Sequence, residues 1–569
     1  MRLGRIIRGA AVIAAALSLA ACASLPMTGD VRPGLAVGQS DSGSDIAFVA
    51  RGPSDGMDPE QIVRGFIDAA SSPADSWSIA RQFLTPAAAQ TWKPDSGVTI
   101  DTALTDRRYD VPDVQKQATT ATVRLSLQQT ASVDENGAYA SKAVNGTADL
   151  GFSLAKNADG QWRISAAPDG VVLDAQSFAD AGVFAPYSLE YFDPTWTYLV
   201  PDVRWFPKRK NTASRIVQSL VGGKPSAWLT NGVRTAFTGD IALAHDAIAV
   251  DSQVAEVSLT DAALSADSAT MSRMRTQLER SLIGVGVLQV KLMAGGRDLN
   301  AGTASVASTV VDSRPLVLTD KGFGYLSGGG IAPIPGVSTE VAAFSKPITA
   351  ISAASGAQRV VAQASDGIVY AIADGKVDQI DGRAGLAPPT LDPFGYVWTV
   401  PQGAPASALI AWSTTVSPRP IAAQPDGSQV SGIAISRDGS RLALAVTASG
   451  LVRVEVAAVS RDDRGAPTGI GPLREVAWPA GPVMDLTWLD DTTLGVLTSD
   501  AGRTVLLEQS VGGPQKSADA PDVARVVAPS SPASNIQLLG SSGVMWVRSV
   551  TTWQLQSSNV KVLATQLGG

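Results

Sequence analysis

The 569-residue sequence predicts a multidomain chain: two successive α+β units followed by an all-β propeller of five or six blades. Three observations predict it. Helical patterns between residues 59 and 92 precede long strand-like runs such as "ATVRLSLQQT". A strand–strand–helix–strand–strand–helix–strand order follows from about residue 186. Beyond residue 314, a strand, a polar turn and a second strand recur at a spacing of about 40 to 50 residues, the length of one four-stranded blade.

Composition supports this reading. Hydrophobic residues make up 45% and charged residues 17%, a globular balance. A single cysteine forbids an intramolecular disulfide, so each unit must be held by its own core. Thirty-four prolines and 54 glycines among short β-branched runs favour strands and turns.

The chain opens with Arg2, Arg5 and Arg8, then an apolar run from Ala10 to Ala21 broken only by Ser18. That run is too short for a bilayer, which needs roughly twenty residues, but has the length of a signal-peptide core. Leu19-Ala20-Ala21-Cys22 resembles the lipobox of bacterial lipoproteins. The resemblance implies cleavage between Ala21 and Cys22, S-diacylglyceryl attachment to the Cys22 thiol and N-acylation of the new amine. Residues 1–21 then read as signal peptide, and 22–44, rich in Gly, Ser and Pro, as the lipidated cysteine with a flexible tether. Removing three arginines takes the formal charge from −7 to −10, so anionic headgroups would repel the mature chain and the lipid must supply the attachment. The expected location is the extracytoplasmic face of the cell membrane.

The first α+β unit is expected over 45–182. Asp58 and Pro59 begin a helix with Ile62, Val63, Phe66 and Ile67 on one face, and a second helix over 75–92 packs Trp77, Ala80, Phe83 and Leu84. Asn157-Ala158-Asp159-Gly160 turns a hairpin. Helices followed by a curved sheet resemble the cone-shaped NTF2-like domains, which bind a small apolar ligand or a partner, or act as filled spacers. Over 183–305, Tyr191-Phe192, Leu199-Val200-Pro201, Arg204, Leu220-Val221-Gly222-Gly223 and Val257-Ser258-Leu259 resemble the GerMN domain. The propeller is expected over 306–569, its turns near Gly356, Pro393-Phe394-Gly395, Asp438-Gly439, Asp490-Asp491 and Ser541-Ser542, with the first strand completing the last blade.

Lipobox, "GPSDGMDPEQIVRGFIDAA", GerMN-like middle and propeller together resemble the LpqB family of actinobacterial lipoproteins. The resemblance implies a partner, the extracytoplasmic region of the sensor kinase MtrB of the MtrAB two-component system, and an influence on cell-envelope homeostasis and division.

Catalysis is not expected. With His245 as the only histidine, no multi-histidine metal site can form, and neither metal nor cofactor is anticipated. Gly52-Pro53-Ser54-Asp55-Gly56 fits G-x-S-x-G, yet the helix starts after Met57 with its own cap, so no nucleophile elbow forms. Ser153-Leu154-Ala155-Lys156 fits S-x-x-K but lies on a strand. Asp438-Gly439 and Asp490-Asp491 lack the alternating oxygens of a calcium loop. The densest positive stretch, "RWFPKRK", offers Arg204, Trp205, Lys208, Arg209 and Lys210 either as a solvated turn or as a docking patch for an acidic kinase loop or anionic wall polymer. Nucleic acid is excluded by the negative charge and the expected location. Two other classes remain open: an enzyme acting on wall glycan or peptide through two propeller-channel carboxylates about 5 to 10 Å apart, and a lipid or small-molecule carrier using the NTF2-like cone.

Overall fold

The computed structural model describes residues 51–112, 117–180, 183–413, 418–423 and 427–568, all within one unit spanning Ala50–Gly569. Its first helix, Pro59–Ala70, starts as the sequence dictates. The Asp58 carboxylate accepts the Gln61 N–H at 2.8 Å while the Gln61 side chain accepts the Asp58 N–H at 3.0 Å, so two otherwise orphaned donors are satisfied. Ile62, Val63, Phe66 and Ile67 are buried.

The second helix expected over 75–92 is not continuous. Short turns at Ser78–Arg81 and Pro86–Thr91 replace it. Thr85 precedes a proline and is held extended, with ψ 157°, from where its hydroxyl caps Ala88. Asp75, Ser76 and Trp77 take left-handed φ values of 45°, 56° and 60°, which turns the Trp77 indole inward to donate to Ala70 O at 2.8 Å.

Against these helices lies a sheet in the order Trp162–Ala166, Tyr139–Lys156, Thr120–Val133, Val98–Asp101, Val171–Asp174. A bulge between Gln129 and Ala131 bends its long central pair. The hollow is filled from within: Phe66 meets Trp92 edge-on at 4.9 Å and Phe152 at 6.2 Å. The Asn157–Gly160 hairpin turn forms as expected, with Gly160 at φ 75°.

The middle unit follows the predicted order. Phe184–Phe192 and Leu199–Pro207 form an antiparallel pair, followed by helix Thr212–Val221. Strands Ala249–Asp251 and Val254–Leu259, helix Ser268–Leu282 and strand Gln289–Ala294 complete it, with Val254–Leu259 and Gln289–Ala294 parallel. Ile216, Val217 and Leu220 point into a core shared with Met274, Leu278 and Leu282.

The remaining strands among the described residues build six blades. From hub to rim, blade 2 runs Ile348–Ala353, Arg359–Ala364, Val369–Ala373, Lys376–Asp381. Blade 3 runs from Thr390–Leu391 to Arg419–Pro420, blade 4 from Gln429–Ile435 to Pro467–Ile470, blade 5 from Val483–Trp488 to Gln515–Asp519, and blade 6 from Ala524–Ala528 to Thr552–Ser557. Blade 1 differs: its hub strand is Val560–Leu563, paired antiparallel with Leu316–Thr319. Closure is therefore the reverse of the expectation. Blade 6 draws all four strands from one continuous stretch and has no vacancy, whereas Leu316–Thr319 needs its second edge covered. Val560 and Leu563 supply that cover and pack with Val317, Ala528, Leu539 and Met545 between blades 1 and 6. Four of the five predicted turns join the first two strands of blades 2 to 5; Ser541-Ser542 instead joins the second and third strands of blade 6.

Candidate functional site

Cys22 and Ala21, the proposed lipidation and cleavage positions, lie outside the described residues, as do the signal segment and tether.

The stretch Arg204–Lys210 is largely not a docking patch. Its strand residues are buried, and they tie three parts of the molecule together. Arg204, 3% exposed, pairs with Asp202 at 2.8 Å and donates to Asn136 O at 2.9 Å and Lys224 O at 3.2 Å. Asn136 belongs to a turn at 134–138, folded by the Asp134 carboxylate accepting the N–H groups of Asn136 and Ala138. Gly137 in that turn has φ 80°, and its carbonyl accepts the Trp205 N–H at 2.8 Å. A Cβ there would meet the Trp205 carbonyl at 2.9 Å, so only glycine allows the approach. Trp205, 5% exposed, packs on Phe178 with centroids 4.3 Å apart and donates its indole N–H to Gly512 O in blade 5 at 2.8 Å. Arg474, on a short strand that pairs with Leu451–Arg461 in blade 4, reaches Tyr139 O.

Arg209 is half-buried, its guanidinium 3.7 Å above the Trp77 ring and 3.6 Å from Asp95, which also binds Arg215 at 2.8 Å. Burial holds its pKa below the usual arginine value. Lys208 and Lys210 alone stay exposed. The sequence signal for this seam was present in "DVRWFP": a strand without polar alternation needs cover on both faces, and Arg204 and Trp205 obtain it from neighbouring units.

A second junction joins the middle unit to the propeller. Leu229, Val200 and Ala458 share a buried cluster, Tyr198 meets Phe394 edge-on at 5.8 Å, and Arg234 pairs with Asp463. Here the Glu190 carboxyl faces Asp491, Asp438, Arg441 and Arg280; burial above all, then the Asp491 charge, pushes it up to about 8. Asp491 accepts the Thr309 hydroxyl at 2.7 Å, and burial raises its pKa as well. Arg441, 1% exposed, pairs with Asp438 and lies 4.8 Å from the Trp488 ring centroid.

The sign of the resulting pH dependence is fixed. The unfolded chain releases the Glu190 proton near 4.5, while the folded protein keeps it to about 8. Stability from this group is full below about pH 4.5, declines as pH rises, and levels off above about 8. Glu190→Gln should therefore flatten the pH dependence of thermal unfolding between pH 5 and 8 and leave the variant on the order of a few kcal/mol more stable at pH 9. Melting curves from pH 5 to 9 that are parallel for the two proteins would refute this.

At the hub, Ser352, Thr390, Ile433, Asp485 and Thr487 line a cavity of ≈ 50 Å³, enough for a few waters. Thr565–Gln566 pairs parallel with Ser352–Ala353 and, with Leu567, contributes to the lining of this cavity. Asp485 is the one carboxylate on this lining; its oxygen accepts the Val527 N–H at 2.8 Å, and burial pushes its pKa up to about 7. The pair of carboxylates required for glycan hydrolysis is not assembled there. His245 is exposed, Ser54 lies in the loop before the first helix, and Ser153–Lys156 is on a strand.

Two α+β units sewn to a closed propeller define a multidomain β-propeller protein. Residues 52–179 match the family model for the lipoprotein LpqB N-terminal domain, and residues 321–562 match that for the lipoprotein LpqB beta-propeller domain, together more than half of the chain. Lipoprotein LpqB of Nocardia farcinica is 26% identical over 96% of this chain and 94% of its own, and that of Rhodococcus opacus 24% over 91% and 90%. The Bifidobacterium longum protein of the same name is 32% identical over 44% of this chain and 43% of its own. The solved structure of TolB from Acinetobacter baumannii aligns at TM-score 0.34 and 11% identity, over 44% of this chain and 66% of that one, too slight a likeness to bear on function. The chain belongs to the LpqB lipoprotein family. Membership implies a membrane-anchored lipoprotein; among the described residues no helix is long and apolar enough to cross a membrane.

Proposed function

We propose that this protein is a lipid-anchored, extracytoplasmic, non-catalytic binding protein that modulates the sensor kinase MtrB and, through it, envelope homeostasis and division. The observation that carries the reading is the seam at Trp205, which joins the N-terminal unit, the middle unit and the propeller through one side chain and its neighbours. A preorganised surface loses less conformational entropy on binding than a string of independent modules would. The relatives carry lipoprotein names rather than enzyme names, in keeping with a binding role. Anchoring through Cys22 would confine this scaffold to the plane in which a membrane kinase resides.

The test is photo-crosslinking of the full lipidated chain in its own membrane, followed by mass spectrometry. The expected result is MtrB recovered on residues of one contiguous face. Repeated crosslinking that captures no kinase would reject the proposal.

A further inference from the structure

We infer that the rim of blade 5 carries a binding groove for an uncharged oligosaccharide. The strand register creates it. Thr498 pairs with Val505 and Val505 with Asp519; Asp500 pairs with Arg503, and Leu507 with Ser517. Cross-strand partners share a face, so these side chains form one floor across the three outer strands of the blade. Thr498, Val505 and Leu507 are buried at the base of this floor, whereas Asp500, Arg503, Ser517 and Asp519 stay exposed on it. The connection from blade 4 to blade 5 supplies the wall: Trp478 and Ala480 border the same groove, whose volume is ≈ 380 Å³. That lies within the range of about 300–1,000 Å³ typical of small-ligand sites.

The lining chemistry selects the ligand. The Trp478 indole is half-exposed, and its N–H has no hydrogen-bond partner among the described residues. An indole face offers an apolar plane to the C–H face of a pyranose ring. Around it, the Asp500, Asp519 and Gln515 side chains and the Arg503 guanidinium line the groove and present planar hydrogen-bond donors and acceptors of the kind that pair with sugar hydroxyls. Among the described residues none of these four side chains makes a hydrogen bond; Arg503 and Asp519 form a loose ion pair at 3.7 Å, and both are mostly exposed. Two carboxylates against one guanidinium repel a polyanion, so an anionic wall polymer does not fit here.

The experiment titrates the full lipidated chain in nanodiscs with a β-1,4-linked N-acetylglucosamine hexamer and an α-1,6-linked mannose hexamer, read by saturation-transfer NMR. At least one hexamer should bind. Trp478→Ala should weaken it about tenfold, Trp478→Phe should restore most of the loss, and Asp500→Asn, a shape-preserving change on an exposed side chain, should also weaken it. Four results would overturn the inference: no binding of either hexamer at millimolar concentration, binding indifferent to Trp478→Ala, competition by poly(glycerol phosphate), or Trp478-dependent capture of an extended peptide on the Gln515–Asp519 edge in place of sugar.

Discussion

Replacing Arg461 with alanine should destabilise the propeller by about 3–5 kcal/mol, the range for breaking one side of a buried ion pair. Arg461 has no exposed side-chain surface. Its guanidinium binds Asp392 in blade 3 at 2.6 Å and donates to Gly439 O at 2.9 Å and Gly465 O at 2.7 Å in blade 4. It also lies 4.5 Å from the Phe394 ring centroid. Asp392 is committed too: it accepts the N–H groups of Phe394 and Tyr396 and the Trp398 indole N–H at 2.9 Å. Truncating Arg461 strands a buried carboxylate that cannot be rehydrated and leaves two carbonyls unpaired. The double variant Arg461→Met with Asp392→Asn removes both charges at similar volume and should recover much of the loss. Urea unfolding followed by tryptophan fluorescence checks this; a cost below about 1 kcal/mol for Arg461→Ala would show that the pair does not hold the blades together.

Cys22→Ala should release the protein from the membrane or stall its processing, while leaving the folded units intact. A buried acyl chain contributes about 0.8 kcal/mol per CH₂, and firm attachment needs two or more chains. Under the proposed processing, loss of Arg2, Arg5 and Arg8 takes the formal charge from −7 to −10, and nothing in the average electrostatics replaces that attachment. Fractionation should move the variant from the membrane pellet to the soluble fraction, or leave it as an uncleaved precursor. Its thermal melt should match that of the parent, because the buried cores of the folded units are built from Ile62 onward. Normal retention together with a fully processed N-terminus would contradict lipid attachment at residue 22.

Much of the architecture was legible in the sequence because local rules carry it. Asp58-Pro59 announces a helix start, Asn157–Gly160 a hairpin and Gly222 a helix end, each through backbone chemistry within a few residues. The helix expected across Pro86 failed because apolar spacing alone does not register the extended conformation forced on Thr85. The direction of ring closure was hidden for a different reason. Which blade lacks a strand depends on a pairing between residues 317 and 563, and no local pattern records it. The charge of "RWFPKRK" pointed toward solvent, whereas the lack of polar alternation pointed inward: Val203 to Phe206 are all buried, and their cover lies at Asn136, Gly137 and Gly512. The groove at Trp478 was likewise unreadable, since its floor is defined by cross-strand register and its wall by the preceding blade.

The pairing of Val560–Leu563 with Leu316–Thr319 also sets a schedule. A polypeptide emerging N-terminus first presents the edge of Leu316–Thr319 some 240 residues before its mate arrives. Until then the annulus stays unzipped, and a stalled or nicked product keeps a sticky border that proteases can recognise. Completion of synthesis is thus a geometric checkpoint: only a chain delivered through Leu563 can close the annulus.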